Sequence, residues 1–186
     1  MSDTLLARIE KFAAGVRTAL LEGSRTFTYA DLDAASRRVA AALLDGTDDL
    51  NGDRVAFLVP PGLDYVAVLL GIWRAGGIAV PLAVAHSPAE LRFVIEDCGA
   101  STMISTAEFA SRLPAAGEAT GLRVLCVSDG CLHDRDGRRR DFLRPSASGL
   151  RPEQSNDRRA MILYTSGTTG RPKGVVTTHA KIAAQI

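Results

Sequence analysis

The sequence predicts an α/β fold, a parallel-rich sheet flanked by helices. Short apolar runs of strand length alternate with stretches of helical periodicity, the pattern of a sheet whose strands are joined by helical crossovers. No segment repeats at a fixed period, which removes solenoid architectures. A length of 186 residues with 46% hydrophobic and 23% charged content fits one ordinary globular domain able to bury a core.

Each element has its own signal. Thr28-Tyr29-Ala30-Asp31 caps a helix, with the Thr28 hydroxyl facing free backbone N–H groups and the Asp31 carboxylate in the positive first turn. Leu32, Val39 and Leu43 then share one face. Residues 54–59 form an apolar run suited to a buried strand, and Pro60-Pro61-Gly62 ends it before a helix over about 63–75. Gly76-Gly77 terminates that helix, and residues 78–82 read as the next strand, with Pro81 near the end where a ladder donor can be spared. Ser87-Pro88-Ala89-Glu90 combines an N-cap serine, a first-turn proline and a capping-box glutamate, opening a helix that runs to about Cys98 before Gly99. Residues 101–105 and 122–127 read as strands separated by a helix over about 107–113. The segment 128–156 is rich in Arg, Asp, Ser, Gly and Pro, which predicts a solvated, flexible connection. Its basic run, Gly137-Arg138-Arg139-Arg140, is flanked by Asp134, Asp136 and Asp141 and reads as solvated loop.

Charge and composition exclude several function classes. Lys and Arg number 22 against 21 Asp and Glu, a net charge of +1, so no general field draws the chain to nucleic acid or to an anionic membrane. Uncharged apolar stretches such as 65–73 reach only about half of the roughly 20 residues a membrane-spanning helix needs. The first residues lack a basic region followed by a continuous apolar one, so a cytoplasmic protein is expected. Cys98, Cys126 and Cys131 have neither disulfide-framework nor metal spacing and are expected as reduced thiols. His86, His133 and His179 are far apart in sequence, without metal-ligand spacing, and are expected in structural or surface roles. Trp73 is expected to pack in the core, and Tyr164 to end a strand with its hydroxyl on a local partner. Among the 22 basic residues only Lys11, Lys173 and Lys181 are lysines, which singles out each as a compact, flexible point charge.

The chemistry concentrates at residues 164–174. Residues 159–164 read as a buried strand running into Thr165-Ser166-Gly167-Thr168-Thr169-Gly170-Arg171-Pro172-Lys173-Gly174. Glycines let a backbone come close to a ligand, four hydroxyls supply donors, successive N–H groups can form an anion nest, and Lys173 adds a full positive charge. Phosphate is the natural guest. The string is not the common P-loop, because Pro172 precedes the lysine and a strand-like Gly174-Val175-Val176-Thr177-Thr178 follows it. On residue types alone a hairpin loop rich in Ser, Thr and Gly accounts for it equally well.

The whole string from Tyr164 to Gly174 resembles the signature loop of the adenylate-forming superfamily: acyl-CoA synthetases, aryl-CoA ligases, luciferases and the adenylation domains of nonribosomal peptide synthetases. Phe27-Thr28-Tyr29-Ala30-Asp31-Leu32 is similar to the family's first core motif, and Trp73-Arg74-Ala75-Gly76-Gly77-Ile78-Ala79-Val80-Pro81-Leu82 to its second. Ala79-Val80-Pro81-Leu82 followed by His86 and Ala89-Glu90-Leu91, with Ala160-Met161-Ile162-Leu163-Tyr164, is most similar to malonyl-CoA and related short-chain acyl-CoA synthetases.

The resemblance implies ATP-dependent activation of a small carboxylic acid through an acyl-adenylate, then transfer to coenzyme A, with Mg2+ accompanying ATP. It implies that Thr165, Ser166, Gly167, Thr168, Thr169, Gly170 and Lys173 hold the β- and γ-phosphates, Lys173 being the catalytic residue that offsets charge on departing pyrophosphate. It further implies that residues 1–186 are the N-terminal portion of the AMP-binding large domain. The downstream adenine-binding motif, the ribose-binding carboxylate, the acyl pocket and the small C-terminal domain have no counterpart here, so the chain alone is expected to be inactive, with the remainder of the same enzyme as its partner. Two alternatives stand beside this reading: an adenylation domain that loads a carrier protein, and a non-catalytic assembly module with a vestigial loop.

Overall fold

The computed structural model describes residues 4–112, 121–134, 156–165 and 171–185. In chain order the elements are α1 (Leu5–Ala13), β1 (Thr18–Glu22), β2 (Arg25–Thr28), α2 (Tyr29–Leu44), β3 (Arg54–Leu58), α3 (Leu63–Arg74), β4 (Ile78–Pro81), α4 (Pro88–Cys98), β5 (Thr102–Ser105), α5 (Ala107–Ala110), β6 (Arg123–Ser128), β7 (Cys131–Asp134), β8 (Arg159–Thr165), β9 (Lys173–Thr178) and α6 (His179–Ala183). The helix starts obey their capping signals. Thr28 Oγ1 accepts from Asp31 N at 3.2 Å while Asp31 returns a carboxylate oxygen to Thr28 N at 2.8 Å. Ser87 and Glu90 do the same at 3.3 and 2.7 Å. Each box satisfies two otherwise orphaned N–H groups.

The main sheet runs β7-β6-β5-β3-β4-β8-β9, and β1 and β2 form a separate antiparallel hairpin. Pairing is parallel from β6 through β5, β3 and β4 to β8, so the expected parallel-rich α/β architecture is present. Antiparallel strands close it at both ends. Because side chains alternate along a strand, β3 sends Val55 and Phe57 to one layer and Ala56 and Leu58 to the other. The first layer is packed by α1, α2 and α3 and the second by α4. Successive crossovers thus lie on opposite faces, and the loops leaving β3 and β4 part from each other. A Cβ at Gly71 would sit 2.4 Å from Val39 Cγ1 and 3.0 Å from the Ser36 carbonyl oxygen, so glycine is what lets α3 approach α2 so closely.

Three differences from the expectation have physical reasons. Within the segment read as a flexible connection over 128–156, Cys131–Asp134 is a strand paired antiparallel to β6. The two are joined by Asp129 (φ 49°) and Gly130 (φ 67°), the left-handed pair of a two-residue hairpin turn, and Gly130 N donates to Asp64 Oδ1 at 2.6 Å. Residues 135–155 lie outside the described residues. The run 159–164 is a strand, but of it only Ala160 is buried, because β8 has only β9 beyond it and Leu163, Val175 and Val176 remain exposed. Of the helix expected over 107–113, Ala107–Ala110 is helical and 111–112 form a turn, while residue 113 lies outside the described residues.

Candidate functional site

The hairpin of β8 and β9 brings the two stems of the candidate phosphate loop together. Tyr164 pairs with Gly174 and Thr165 with Lys173, so the lysine begins its strand directly across from the first hydroxyl of the loop. Thr165 and Lys173 are both exposed. Ser166, Gly167, Thr168, Thr169 and Gly170 lie outside the described residues.

Three side-chain anchors hold these stems to the body of the fold. The indole Nε1 of buried Trp73 donates to the Ala160 carbonyl at 2.8 Å, which tethers the start of β8 to α3. Arg158 grips both carboxylate oxygens of Asp49 at 2.8 and 2.9 Å and also donates to Gly76 O at 3.0 Å, a forked arrangement suited to guanidinium. At the other end of β8, Tyr164 Oη donates to Asp97 Oδ2 on α4 at 2.5 Å. Burial, then this bond to Asp97, pushes the phenol above its ordinary pKa. Trp73 therefore packs as expected, and the Tyr164 hydroxyl has found its partner. None of these three partners was legible in sequence, since each lies far along the chain.

A second feature lies beside the hairpin. At the carboxyl ends of β3, β4 and β8 a cavity of about 410 Å3 is lined by Val59, Tyr65, Leu82, Val84, His86 and Leu163, among others. It occupies the place where crossovers depart to opposite faces, the usual location of ligand sites in open α/β sheets. Arg112 fixes the loop that forms its wall by donating to Val84 O at 2.6 Å and His86 O at 2.7 Å. The buried His86 Nδ1 has no hydrogen-bond partner among the described residues. The signal for this cavity was present in sequence as two strand ends followed by loops, Pro60-Pro61-Gly62 and Ala83-Val84-Ala85-His86, but only the strand order makes them neighbours.

The remaining two histidines stand on different elements, His133 on β7 and His179 on α6. His133 Nε2 sits 3.2 Å from Ser128 Oγ on the β6–β7 hairpin. His179 opens α6, buried, with its ring edge-on to Trp73 at 5.3 Å. Burial, with Arg158 as a second cause, pushes its pKa from 6.5 down to about 4. The folded state therefore resists protonation that the unfolded chain accepts at pH 6.5, so this group stabilises fully above that pH and progressively less as pH falls toward 4. The expected loss between pH 7 and pH 4.5 is on the order of 2 kcal/mol. Urea unfolding at pH 7 and pH 4.5 checks it: His179→Gln should show a smaller difference between the two than the parent, and an equal difference would exclude His179 as the source.

Cys98, Cys126 and Cys131 are free thiols. Among the described residues no group of three His, Cys, Asp or Glu side chains is placed to hold a metal ion, and no helix is long and apolar enough to cross a membrane.

A family model described as AMP-binding enzyme matches residues 9–186. The chain is 34% identical to the mitochondrial malonate–CoA ligase ACSF3 of Mus musculus over 96% of its length, and 35% identical to the syringomycin synthase SyrB1 of Pseudomonas syringae over 90%. It spans 30% and 25% of the lengths of those relatives. The crystal structure of ATP-bound MatB from Rhodopseudomonas palustris superposes with a TM-score of 0.77 at 30% identity, covering 100% of this chain and 36% of that one.

Proposed function

This chain belongs to the AMP-binding enzyme family, and on that premise we propose that the protein it comes from is a ligase that activates a small carboxylic acid with ATP and passes the acyl group to coenzyme A. The carboxylate oxygen forms a bond to the α-phosphorus as the bond to pyrophosphate breaks; the thiol then displaces AMP from the acyl-adenylate. The observation that carries this reading is the strand register that sets Lys173 across from Thr165 at the mouth of the loop. An ammonium there meets the β- and γ-oxygens, where charge grows as pyrophosphate leaves, while the hydroxyls and N–H groups of residues 165–170 hold the same phosphates. This donor set of hydroxyls and one cation fits phosphate oxygen rather than a metal. Mg2+ would travel with the phosphates it neutralises.

Malonate or a similarly short acid is the proposed substrate, supported by the likeness to malonate–CoA ligases. The likeness to a syringomycin synthase supports a second reading in which the acceptor is a carrier-protein thiol. Incubating the full-length protein with ATP, malonate and either acceptor, and weighing the products, decides between them. A cytoplasmic location and a place in fatty acid metabolism belong to the same proposal, as does inactivity of residues 1–186 alone.

The expected result for Lys173→Ala in the full-length protein is a drop of about 100-fold in the maximal rate of ATP–pyrophosphate exchange, with the KM for the acid little changed. A charge that stabilises the departing group more than the bound ground state acts on rate and not on acid binding. Lys173→Arg should recover only part, because a planar fork does not replace a compact point charge. An unchanged maximal rate in Lys173→Ala would remove this lysine from the mechanism.

A further inference from the structure

Tyr164 is the residue at which three constraints on the loop stems meet. Its hydroxyl is bound to Asp97 near the C-terminal end of α4. Its ring lies against the opposite stem: a Cβ at Gly174 would sit 3.2 Å from Tyr164 Cζ and 3.0 Å from Ile162 Cγ2, so the missing side chain of Gly174 is what gives the ring its place. The neighbours of this pair in the ladder are Thr165 and Lys173. A line of contacts thus runs from a helix of the body, through one phenol, to both residues that flank the loop. Two other side-chain bonds of the hairpin, Trp73 to Ala160 and Arg158 to Asp49, lie at the far end of β8, away from its loop end.

We propose that Tyr164 is a positioning residue for nucleotide binding, holding Thr165 and Lys173 in register for the ATP phosphates through its bond to Asp97 and its contact with Gly174. This rests on the ATP-dependent reading above. The hydroxyl is engaged by Asp97, and it acts by fixing where the stems point. The phenol is protonated throughout the neutral range, since its pKa is raised, so it remains a donor to the Asp97 carboxylate. Such a bond narrows the orientations of the loop end before ATP arrives, and a site held in place loses less freedom on binding than one that must be assembled.

The experiment uses the full-length protein and two independent readouts. Calorimetry gives the Kd for Mg-ATP, and pyrophosphate exchange gives the KM for ATP and for the acid. Tyr164→Phe keeps the ring and removes the bond; it should weaken Mg-ATP affinity about three- to tenfold, the range for one hydrogen bond to a charged group at a partly exposed site, while the KM for the acid stays unchanged. Asp97→Ala should do the same, and the double variant should be no worse than either single one, because both remove one interaction. Asp97→Asn retains an acceptor and should restore most of the affinity. Thermal unfolding of each variant accompanies these measurements, since a purely structural bond would lower the midpoint without changing the Mg-ATP Kd. Parent-like Mg-ATP affinity in Tyr164→Phe, or additive losses in the double variant, would overturn the proposal. Absence of exchange in the parent protein would sink the ligase reading instead, and the calorimetric arm would still decide the role of Tyr164.

Discussion

Arg74→Ala is expected to destabilise the protein by about 3–5 kcal/mol, enough to threaten folding of a marginally stable domain. The guanidinium is 3% exposed and makes three directed bonds: to Glu10 at 2.7 Å, to Asp33 at 2.5 Å and to Ser36 Oγ at 3.0 Å. These reach from α3 to α1 and α2. Removing the arginine leaves two carboxylates in a largely buried place with only Arg37, which is itself bound to both, to neutralise them. The loss is dominated by that unpaired charge, and not by the worth of the pairs themselves. Arg74→Lys should recover only part of it, because one ammonium cannot present a fork to three acceptors on two helices. Urea denaturation of both variants checks this, with the midpoint falling in the order parent, Lys, Ala; a parent-like midpoint for Arg74→Ala would show the network to be dispensable.

Trp73→Ala should lose a comparable amount, about 3–5 kcal/mol, by a different route. Here the loss is mostly volume. The indole is 3% exposed between the helical layer and β8, with His179 edge-on to it. Alanine leaves a cavity that the packed sheet cannot close, and it strips the donor from the Ala160 carbonyl. Trp73→Phe separates the two contributions: it refills most of the space but removes the indole donor from a carbonyl that keeps only its ladder partner, so about 0.5–1.5 kcal/mol should remain lost. Thermal unfolding of the pair reads this directly. A Phe variant as stable as the parent would mean that the bond to Ala160 holds nothing.

These two neighbours also show what a sequence discloses and what it withholds. That Trp73 packs in the core was legible, because a large aromatic on a nearly all-apolar helix has few other places to go. The burial of Arg74 was not. Its partners stand 64 and 41 residues away, on helices whose approach depends on the whole fold. The helix starts at Thr28 and Ser87 were legible because a capping box is complete within four residues. Around residues 4–25 the signals are slighter, Thr4 as a lone N-cap for α1 and Gly23-Ser24 as the two-residue turn of the β1–β2 hairpin, with no capping box to reinforce them. The Asp129-Gly130 turn did carry one, a strong hairpin signal, but it stands at the head of a polar stretch whose composition spoke for a loop. At the candidate site the loop string was legible as a phosphate cradle, and Lys173 as its cation, whereas the anchors that aim it depend on strand order. An apolar run such as 159–164 reads as buried on both faces only if its strand lies inside the sheet, and strand order is a tertiary fact.

The attachment of β8 to β4 has one further consequence. In the described ladder that junction registers a single Cα pair, Ala79 with Met161, where β3 shares four with β4 and four with β5. Pro81 has no N–H to carry that ladder further, and three side chains, Trp73, Arg158 and Tyr164, add to the hold on the hairpin that bears the loop. Backbone pairing is nearly indifferent to residue identity, but an attachment made of side chains can be altered one substitution at a time. The tilt of the loop-bearing leaf can thus drift among descendants of this fold while the cradle string and the packed interior remain as they are, which gives evolution a way to re-aim a conserved phosphate grip without rebuilding what holds it.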